Sequence, residues 1–220
     1  MMNKAIVLGV ETSDILCSVA WWQDNQTLLD YNIELANAHA TLLAGLVAQG
    51  QKRLGLAASD ISLVTVGSGP GSFTGLRIGM AFAKGFCYGL DIPVIDVTNF
   101  EVLAAQAQPD IFPVITLIEA RKDHYYTGVF LENRTILDEK LLLSRKSIEE
   151  NYSTDGQIVI HEKITTGYFS DNYAGSLPVT HGKYSAATIC DLGYHKFSGN
   201  DIRELDAIEP LYLQSFAGVL

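Results

Sequence analysis

Cysteine is scarce in this 220-residue chain, basic residues are outnumbered by acidic ones, and no apolar run is long. Cys17, Cys87 and Cys190 are odd in number, far apart and free of any Cys-x-x-Cys spacing. That argues against a disulfide framework and a thiolate zinc site, and it fits a reducing cytoplasm. Lys and Arg total 15 against 25 Asp and Glu, a formal net charge of -10, with no basic cluster anywhere. Affinity for nucleic acid comes largely from neutralising phosphates, so an acidic chain of this kind is expected to meet RNA only indirectly, through a basic partner. The start, Met1-Met2-Asn3-Lys4, leads into only six apolar or small residues, Ala5 to Val10. Such a run is too short for a signal-peptide core or a membrane span. A soluble, unprocessed, cytoplasmic protein with no membrane association is expected.

What is present is a globular composition, 48% hydrophobic and 18% charged, in a length that suits one large domain or two small lobes. Strands are predicted over Lys4 to Val10, Ile15 to Trp22 and roughly Thr27 to Leu35, separated by Glu11-Thr12-Ser13-Asp14 and Asp24-Asn25-Gln26. Leu42, Leu43, Leu46, Val47 and Leu54 then recur at the period of a helix over His39 to Leu54. Ile61 to Val66 reads as a strand, a glycine-rich segment opens a second helix, and Ile92 to Val97 reads as a strand again. The second half starts over, with strands over Phe112 to Ile118 and Tyr125 to Leu131 around the polar break Glu119-Ala120-Arg121-Lys122-Asp123.

Displacing the first meander by 108 positions places Glu11, Asn25, Thr27, Leu29 and Asp30 on Glu119, Asn133, Thr135, Leu137 and Asp138, while Asp24 meets Glu132 and Leu28 meets Ile136. Hairpins draw on a common set of turn residues, which accounts for part of such a match. An internal duplication accounts for all of it. Two lobes that each open with a three-strand meander and continue with alternating helices and strands describe an α/β actin-like ATPase (ASKHA) fold made of two ribonuclease-H-like lobes. The first lobe is expected over 1–105 and the second over 106–220, abbreviated after Lys146, with the final segment a candidate to pack back on the first lobe. Only short elements are expected between Asn151 and Ser185, where periodicity is weak.

The glycine segment, Val66 to Gly79, resembles a phosphate cradle, with Ser72 or Thr74 placed to cap the helix that follows. It lacks the Lys-Ser/Thr ending of a P-loop and does not match the Gly-x-Gly-x-x-Gly fingerprint. Downstream, the helix carries small residues on two lines, Gly75-Gly79-Ala83 and Ala81-Gly85-Gly89. Glycine inside a helix costs up to about 1 kcal/mol relative to alanine, so these call for a reason. Close packing on the helix's own sheet and approach by a helix of another chain both supply one, and the two are compatible because the lines point to different faces.

Gly69-Pro70-Gly71-Ser72-Phe73-Thr74-Gly75-Leu76-Arg77-Ile78-Gly79 closely resembles the signature of the TsaB (YeaZ) family of bacterial tRNA threonylcarbamoyladenosine biosynthesis proteins, relatives of the TsaD/glycoprotease family. Val10-Glu11-Thr12-Ser13 resembles its first-strand motif, where the family more often has Asp. Ala38-His39-Ala40-Thr41-Leu42-Leu43 resembles the start of its first helix, and Ile118-Glu119-Ala120-Arg121 its Asp-Ala-Arg motif. Glu209-Pro210-Leu211-Tyr212-Leu213 resembles its closing Pro-x-Tyr-Leu-Arg, with Gln214 replacing the Arg. The stretch after about residue 145 matches poorly. The resemblance implies a non-catalytic partner of the paralogue TsaD, joined by the ATPase TsaE, in making threonylcarbamoyladenosine beside the anticodon. A homodimer is expected when the paralogue is absent. The expected partner surface comprises His39, Leu42, Leu46, Ser72, Phe73, Thr74, Gly75, Arg77, Gly79, Ala83 and Gly85, with bulky side chains at Gly79 or Gly85 blocking association while sparing the fold.

The residues bear on catalysis directly. The catalytic paralogue binds metal through two histidines at i and i+4 of its first helix, whereas His39 is followed four positions on by Leu43. His124, His161, His181 and His195 show no ligand spacing. The turns Glu11 to Asp14 and Glu119 to Asp123 contain no glycine through which backbone amides approach phosphate. Glu11, Thr12, Glu119 and Arg121 are motif residues of open role. Arg121 suits a cation beside a triphosphate, and more simply Glu119 and Arg121 fix a turn or meet a partner. No metal, cofactor or catalytic residue is therefore expected. The alternative is an enzyme in its own right, an ATP-dependent threonylcarbamoyl transferase or a peptidase; for the peptidase, Ser72 with a distant histidine is the available candidate, without a Gly-x-Ser-x-Gly elbow.

Overall fold

The computed structural model describes residues 5–35, 38–132, 136–161 and 167–213, with the backbone alone for 136–141. Lys4, the repeat positions Asn133 and Thr135, and Gln214 lie outside the described residues. The chain divides into two units, the described parts of Met1–Asn99 with Tyr184–Leu220, and Phe100–Lys183.

In the first unit, β1 (Ile6–Glu11), β2 (Leu16–Gln23), β3 (Gln26–Glu34), β4 (Ile61–Gly69) and β5 (Val94–Thr98) form one sheet in the order β3-β2-β1-β4-β5. β1 is antiparallel to β2 and parallel to β4. Helices cover both of its faces, which is why its sequence is a nearly continuous apolar run. Asp24 and Asn25 take φ of 53° and 59°, the left-handed pair that a two-residue hairpin needs and that Asp and Asn tolerate.

Alternation along the strands then sorts the side chains. Leu8, Val10, Cys17, Val19 and Trp21 point to one face, where α1 (His39–Leu54) and α2 (Phe73–Leu90) bury Leu43, Leu46, Val47, Met80, Ala83 and Cys87. Val7, Ala20, Trp22, Leu63 and Ile95 point to the other, covered by α6 (Ala186–Ser198) through Ala186 and Cys190. Close approach on both faces depends on glycine. A methyl group on Gly50 of α1 would overlap the Trp21 ring, and one on Gly9 of β1 would strike the Ala186 carbonyl.

The second unit repeats the plan. β6 (Val114–Arg121), β7 (His124–Phe130), β8 (Ile136–Ser144), β9 (Gln157–His161) and β10 (Val179–His181) take the order β10-β9-β6-β7-β8. Displaced by 108 positions, the starts of β1 and β2 at Ile6 and Leu16 fall on Val114 and His124, the starts of β6 and β7. One face buries Ile115, Leu117, Tyr125, Ile158 and Ile160 against Ile148 of α4 (Arg145–Asn151) and Phe169 of α5 (Tyr168–Asn172). The opposite face takes α3 (Asn99–Ala104). Added methyl groups on Gly128 and Gly182 would approach Phe100 at 3.1 Å and Leu103 at 2.6 Å. β6 runs on to Arg121, so Glu119 and Arg121 stand on a strand and not in the polar break expected there.

Each sheet is thus completed by a helix from beyond the other sheet's last strand. α3 follows β5 and covers the second sheet, and α6 follows β10 and covers the first.

Cys17, Cys87 and Cys190 are buried and free. Burial, with the Glu11 charge adding to it, pushes the Cys17 thiol up to about 11, burial pushes Cys87 up to about 12, and burial raises Cys190 as well. These raised values mean that the thiol form's contribution to stability is intact below the ordinary value near 9.0 and is lost as pH climbs through 11 to 12. Native protein at pH 8 is expected to leave all three thiols unreacted with a thiol reagent for as long as it stays folded. Prompt modification of any one, followed by absorbance, would contradict this burial.

Candidate functional site

The glycine segment does not form an open cradle. It folds down on the turn between β1 and β2, and each glycine in it is explained by what lies beneath. β4 ends at Gly69, whose φ of 98° suits glycine, and the Gly69-Pro70 peptide is cis. Ser72 caps α2 by accepting from the Gly75 N-H at 3.3 Å. An added methyl group would lie 2.8 Å from Ser13 Cβ at Gly71, strike the Thr12 carbonyl at Gly75 and strike Thr12 Oγ1 at Gly79.

Hydrogen bonds close the same contact. Ser72 N donates to the Ser13 carbonyl at 2.6 Å, and Thr12 Oγ1 donates to the Gly75 carbonyl at 2.8 Å. Asn99 Nδ2 donates to Ser13 Oγ at 2.7 Å and to the Pro70 carbonyl at 2.8 Å. The Ser13 N-H is taken by the Glu11 carboxylate. Glu11, Thr12 and Ser13 are accordingly buried. Backbone groups that would receive a phosphate in an open turn are here engaged by the chain itself. Tyr184 lies nearby and is buried; its phenol is pushed well above its ordinary value by burial, then by the charges of Glu11 and Asp14. Asn99 and Tyr184 were not legible as site residues, because Asn99 meets Pro70 from 29 positions and Ser13 from 86 positions away, and Tyr184 faces Glu11 and Asp14 from the other end of the chain, with no local pattern to mark them.

In the second unit Glu119 is half-buried and pairs with Tyr125 in the β6-β7 register, while exposed Arg121 pairs with His124. Lys122 sits over the Tyr168 ring at 5.0 Å. His124 Nδ1 meets the Lys122 carbonyl, His181 meets Ser170 Oγ at 2.9 Å, and His195 faces Asp191 one turn earlier.

His39 is the first residue of α1 and is buried, and Leu43, one turn on, lies in the core. Among the described residues no group of three His, Cys, Asp or Glu side chains is placed to hold a metal ion. None of the described helices is long and apolar enough to cross a membrane.

The expected partner surface separates into two faces. Gly75, Gly79, Ala83 and Leu46 point inward, the first two onto Thr12 and the last two into the core. These positions are taken up within this chain and not offered on its surface, and a bulky side chain at Gly79 is expected not to spare the fold. The interleaved stripe Leu76-Met80-Ala83-Cys87 is the sequence signal that assigns this line to the buried face. Leu42 is half-buried against the same core. Ser72, Thr74, Arg77 and Gly85 are exposed, and Phe73 is half-buried.

On the outer faces of α1 and α2 lie Ala44, Gly45, Ala48, Ala81, Gly85 and Gly89. Among the described residues, Gly45, Gly85 and Gly89 have nothing within 4 Å of an added methyl group. Between them Tyr88 is 81% exposed, the most exposed of the large hydrophobic residues described, and the expectation overlooked both it and Gly45.

The comparisons agree with this architecture. The family model TsaD, tRNA N6-adenosine threonylcarbamoyltransferase, matches residues 33–185, more than half of the chain. The chain is 29% identical over 133 residues to the tRNA threonylcarbamoyladenosine biosynthesis protein TsaB of Bacillus subtilis, covering 60% of this chain and 58% of that protein. It is 28% identical over 166 residues to TsaB of Haemophilus influenzae, covering 68% and 69%. With TsaB of Escherichia coli included, the chain spans 52% to 69% of the length of these curated relatives. A solved YeaZ from Pseudomonas aeruginosa superposes with a TM-score of 0.77 at 22% identity, covering 94% of this chain and 99% of that one, which establishes the shared fold. That fold is the α/β actin-like one, and its two sheets repeat one topology. By its sequence match, and with a fold that agrees, the chain belongs to the TsaD-type family and, within it, to the TsaB (YeaZ) proteins.

Proposed function

We propose that the chain is a non-catalytic partner of the TsaD paralogue in tRNA threonylcarbamoyladenosine biosynthesis, binding it through the outer faces of α1 and α2. The observation that carries this reading is the trio of outward helical glycines, Gly45, Gly85 and Gly89, whose missing side chains nothing among the described residues explains. Each costs up to about 1 kcal/mol of helix stability relative to alanine, and the same small residues allow another chain's helix to come close. Tyr88 between them supplies apolar area for burial. The inward-turned first turn and the core position of Leu43 favour a partner over an independent enzyme.

On this reading the protein acts in the cytoplasm, meets tRNA only through the complex, is joined there by the ATPase TsaE, and forms a homodimer on the same surface when the paralogue is absent. Co-expression with the TsaD of the same organism is expected to yield a co-purifying pair. Modified adenosine in a tRNA assay is expected to fall at least tenfold when this chain is left out, a loss of about 1.4 kcal/mol or more in effective coupling. Modification that proceeds equally without it would overturn the proposal.

A further inference from the structure

The closing motif of the chain has no place in the surface just described, yet it reaches the exposed arginine of the glycine signature. Arg77 and Phe73 lie one turn apart on α2, and the guanidinium carbon stands 3.8 Å above the Phe73 ring centre. The Tyr212 ring flanks Arg77 at 5.8 Å and packs on Phe73 at 5.0 Å between ring centres. Arg77 Nε donates to the Tyr212 hydroxyl at 3.0 Å.

The tail is seated independently of that contact. Arg203 pairs with Asp96, Ile208 is fully buried in the first core, and the Leu211 N-H donates to the Ser68 carbonyl at 2.7 Å. A backbone bond one residue before Tyr212 therefore fixes where its ring can go.

We infer that Arg77 is a preorganised fork for a carboxylate of the partner protein, with Tyr212 as its positioning residue. This rests on the partner reading and names the chemistry of one contact within it. Nε is already used, so the two terminal nitrogens are left, and they bond to no described residue on an exposed side chain. A planar guanidinium stacked on Phe73 and tied through Nε to the Tyr212 hydroxyl has lost its rotamer freedom beforehand, and a carboxylate meets such a fork bidentately. Phosphodiester recognition needs several cations in a row. The only other basic residue of α2 is Lys84, seven positions away, and the chain carries a net charge of -10. A protein carboxylate fits and an RNA backbone does not.

The test is titration calorimetry of purified TsaD from the same organism into wild type, Arg77→Ala, Arg77→Lys, Tyr212→Phe, Tyr212→Ala and the double variant Arg77→Ala/Tyr212→Ala. The measurements are made at low salt and at 1 M NaCl, with a tRNA transcript titrated in parallel. Arg77→Ala and Tyr212→Ala are each expected to weaken TsaD binding about tenfold at low salt, and the double variant about tenfold and not a hundredfold, because they remove one shared device. Arg77→Lys retains charge without the fork and falls about threefold to fivefold. Tyr212→Phe loses only the hydroxyl and falls less than Tyr212→Ala. All losses shrink at high salt, with melting temperatures unchanged. An unchanged Kd for Arg77→Ala, multiplicative losses in the double variant, or a loss confined to tRNA binding each overturns the fork. Absence of wild-type binding to TsaD overturns the partner reading, and with it this assignment.

Discussion

Gly79→Trp is expected to yield no cooperatively folded protein, and Gly75→Ala, a change of one methyl group, to lower the melting temperature by several degrees. Both positions lie in a helix, where replacing glycine by alanine ordinarily gains about 1 kcal/mol. Here the added carbon at Gly75 runs into the Thr12 carbonyl, a backbone group that cannot rotate away. Relief requires α2 to lift off the turn, which breaks the bond from Thr12 Oγ1 to the Gly75 carbonyl and the bond from Ser72 N to the Ser13 carbonyl. Overpacking of this kind costs about 1 to 3 kcal/mol net, or roughly 2 to 10 °C in a protein of this size. At Gly79 an indole must displace Thr12 and Val10 together, which exceeds what a marginally stable domain tolerates. Thermal melts followed by circular dichroism check both. A Gly79→Trp melt within 2 °C or so of wild type would show that the glycine line does not press on the first turn.

Gly85→Trp, six residues further along the same helix, is expected to do the opposite. Nothing among the described residues lies within 4 Å of an added methyl group there, and the residue is exposed. Folding should be unaffected or slightly improved, by up to about 1 kcal/mol from helix propensity. Association should fail, because an indole standing between two close helices holds their axes apart, and well-packed contacts lose their dispersion energy over fractions of an ångström. The expected result is loss of TsaD co-elution and a Kd raised at least a hundredfold, about 2.7 kcal/mol. Gly45→Trp on α1 should behave alike. Folded variants of both that co-elute as wild type does would remove this surface from the proposal.

The contrast between Gly79 and Gly85 also shows what the sequence could and could not convey. α1 was legible at both ends, His39 and Leu54, because its apolar positions repeat at helical period. The doubled meander was legible because its turn residues recur at one displacement. The two glycine lines of α2 were visible as lines, and their directions were not, since glycine carries no hydropathy to mark a face. Only the buried neighbours Leu76 and Met80 distinguish them. α6 escaped notice because its buried residues Ala186, Ile189, Cys190 and Gly193 are mostly small, a weak stripe whose meaning depends on a sheet that ends at Thr98, far upstream. Tyr212 was seen as part of a motif, and its partner Arg77 lies 135 positions away.

The exchange of closing helices sets the order in which this chain can mature as it leaves the ribosome. The second sheet receives its covering helix before its strands are made, since α3 precedes β6, and it is complete in sequence once β10 has emerged. The first sheet has all its strands by Thr98, yet Val7, Ala20, Trp22, Leu63 and Ile95 stay uncovered on one face until α6 ends at Ser198. At ordinary elongation rates the hundred residues between those points take about 5 to 20 s. For that interval the amino-terminal half presents a bare apolar sheet face, and over its last part, from His181 to Ser198, the second sheet is already complete in sequence while the first still waits for its helix, the reverse of the usual vectorial order.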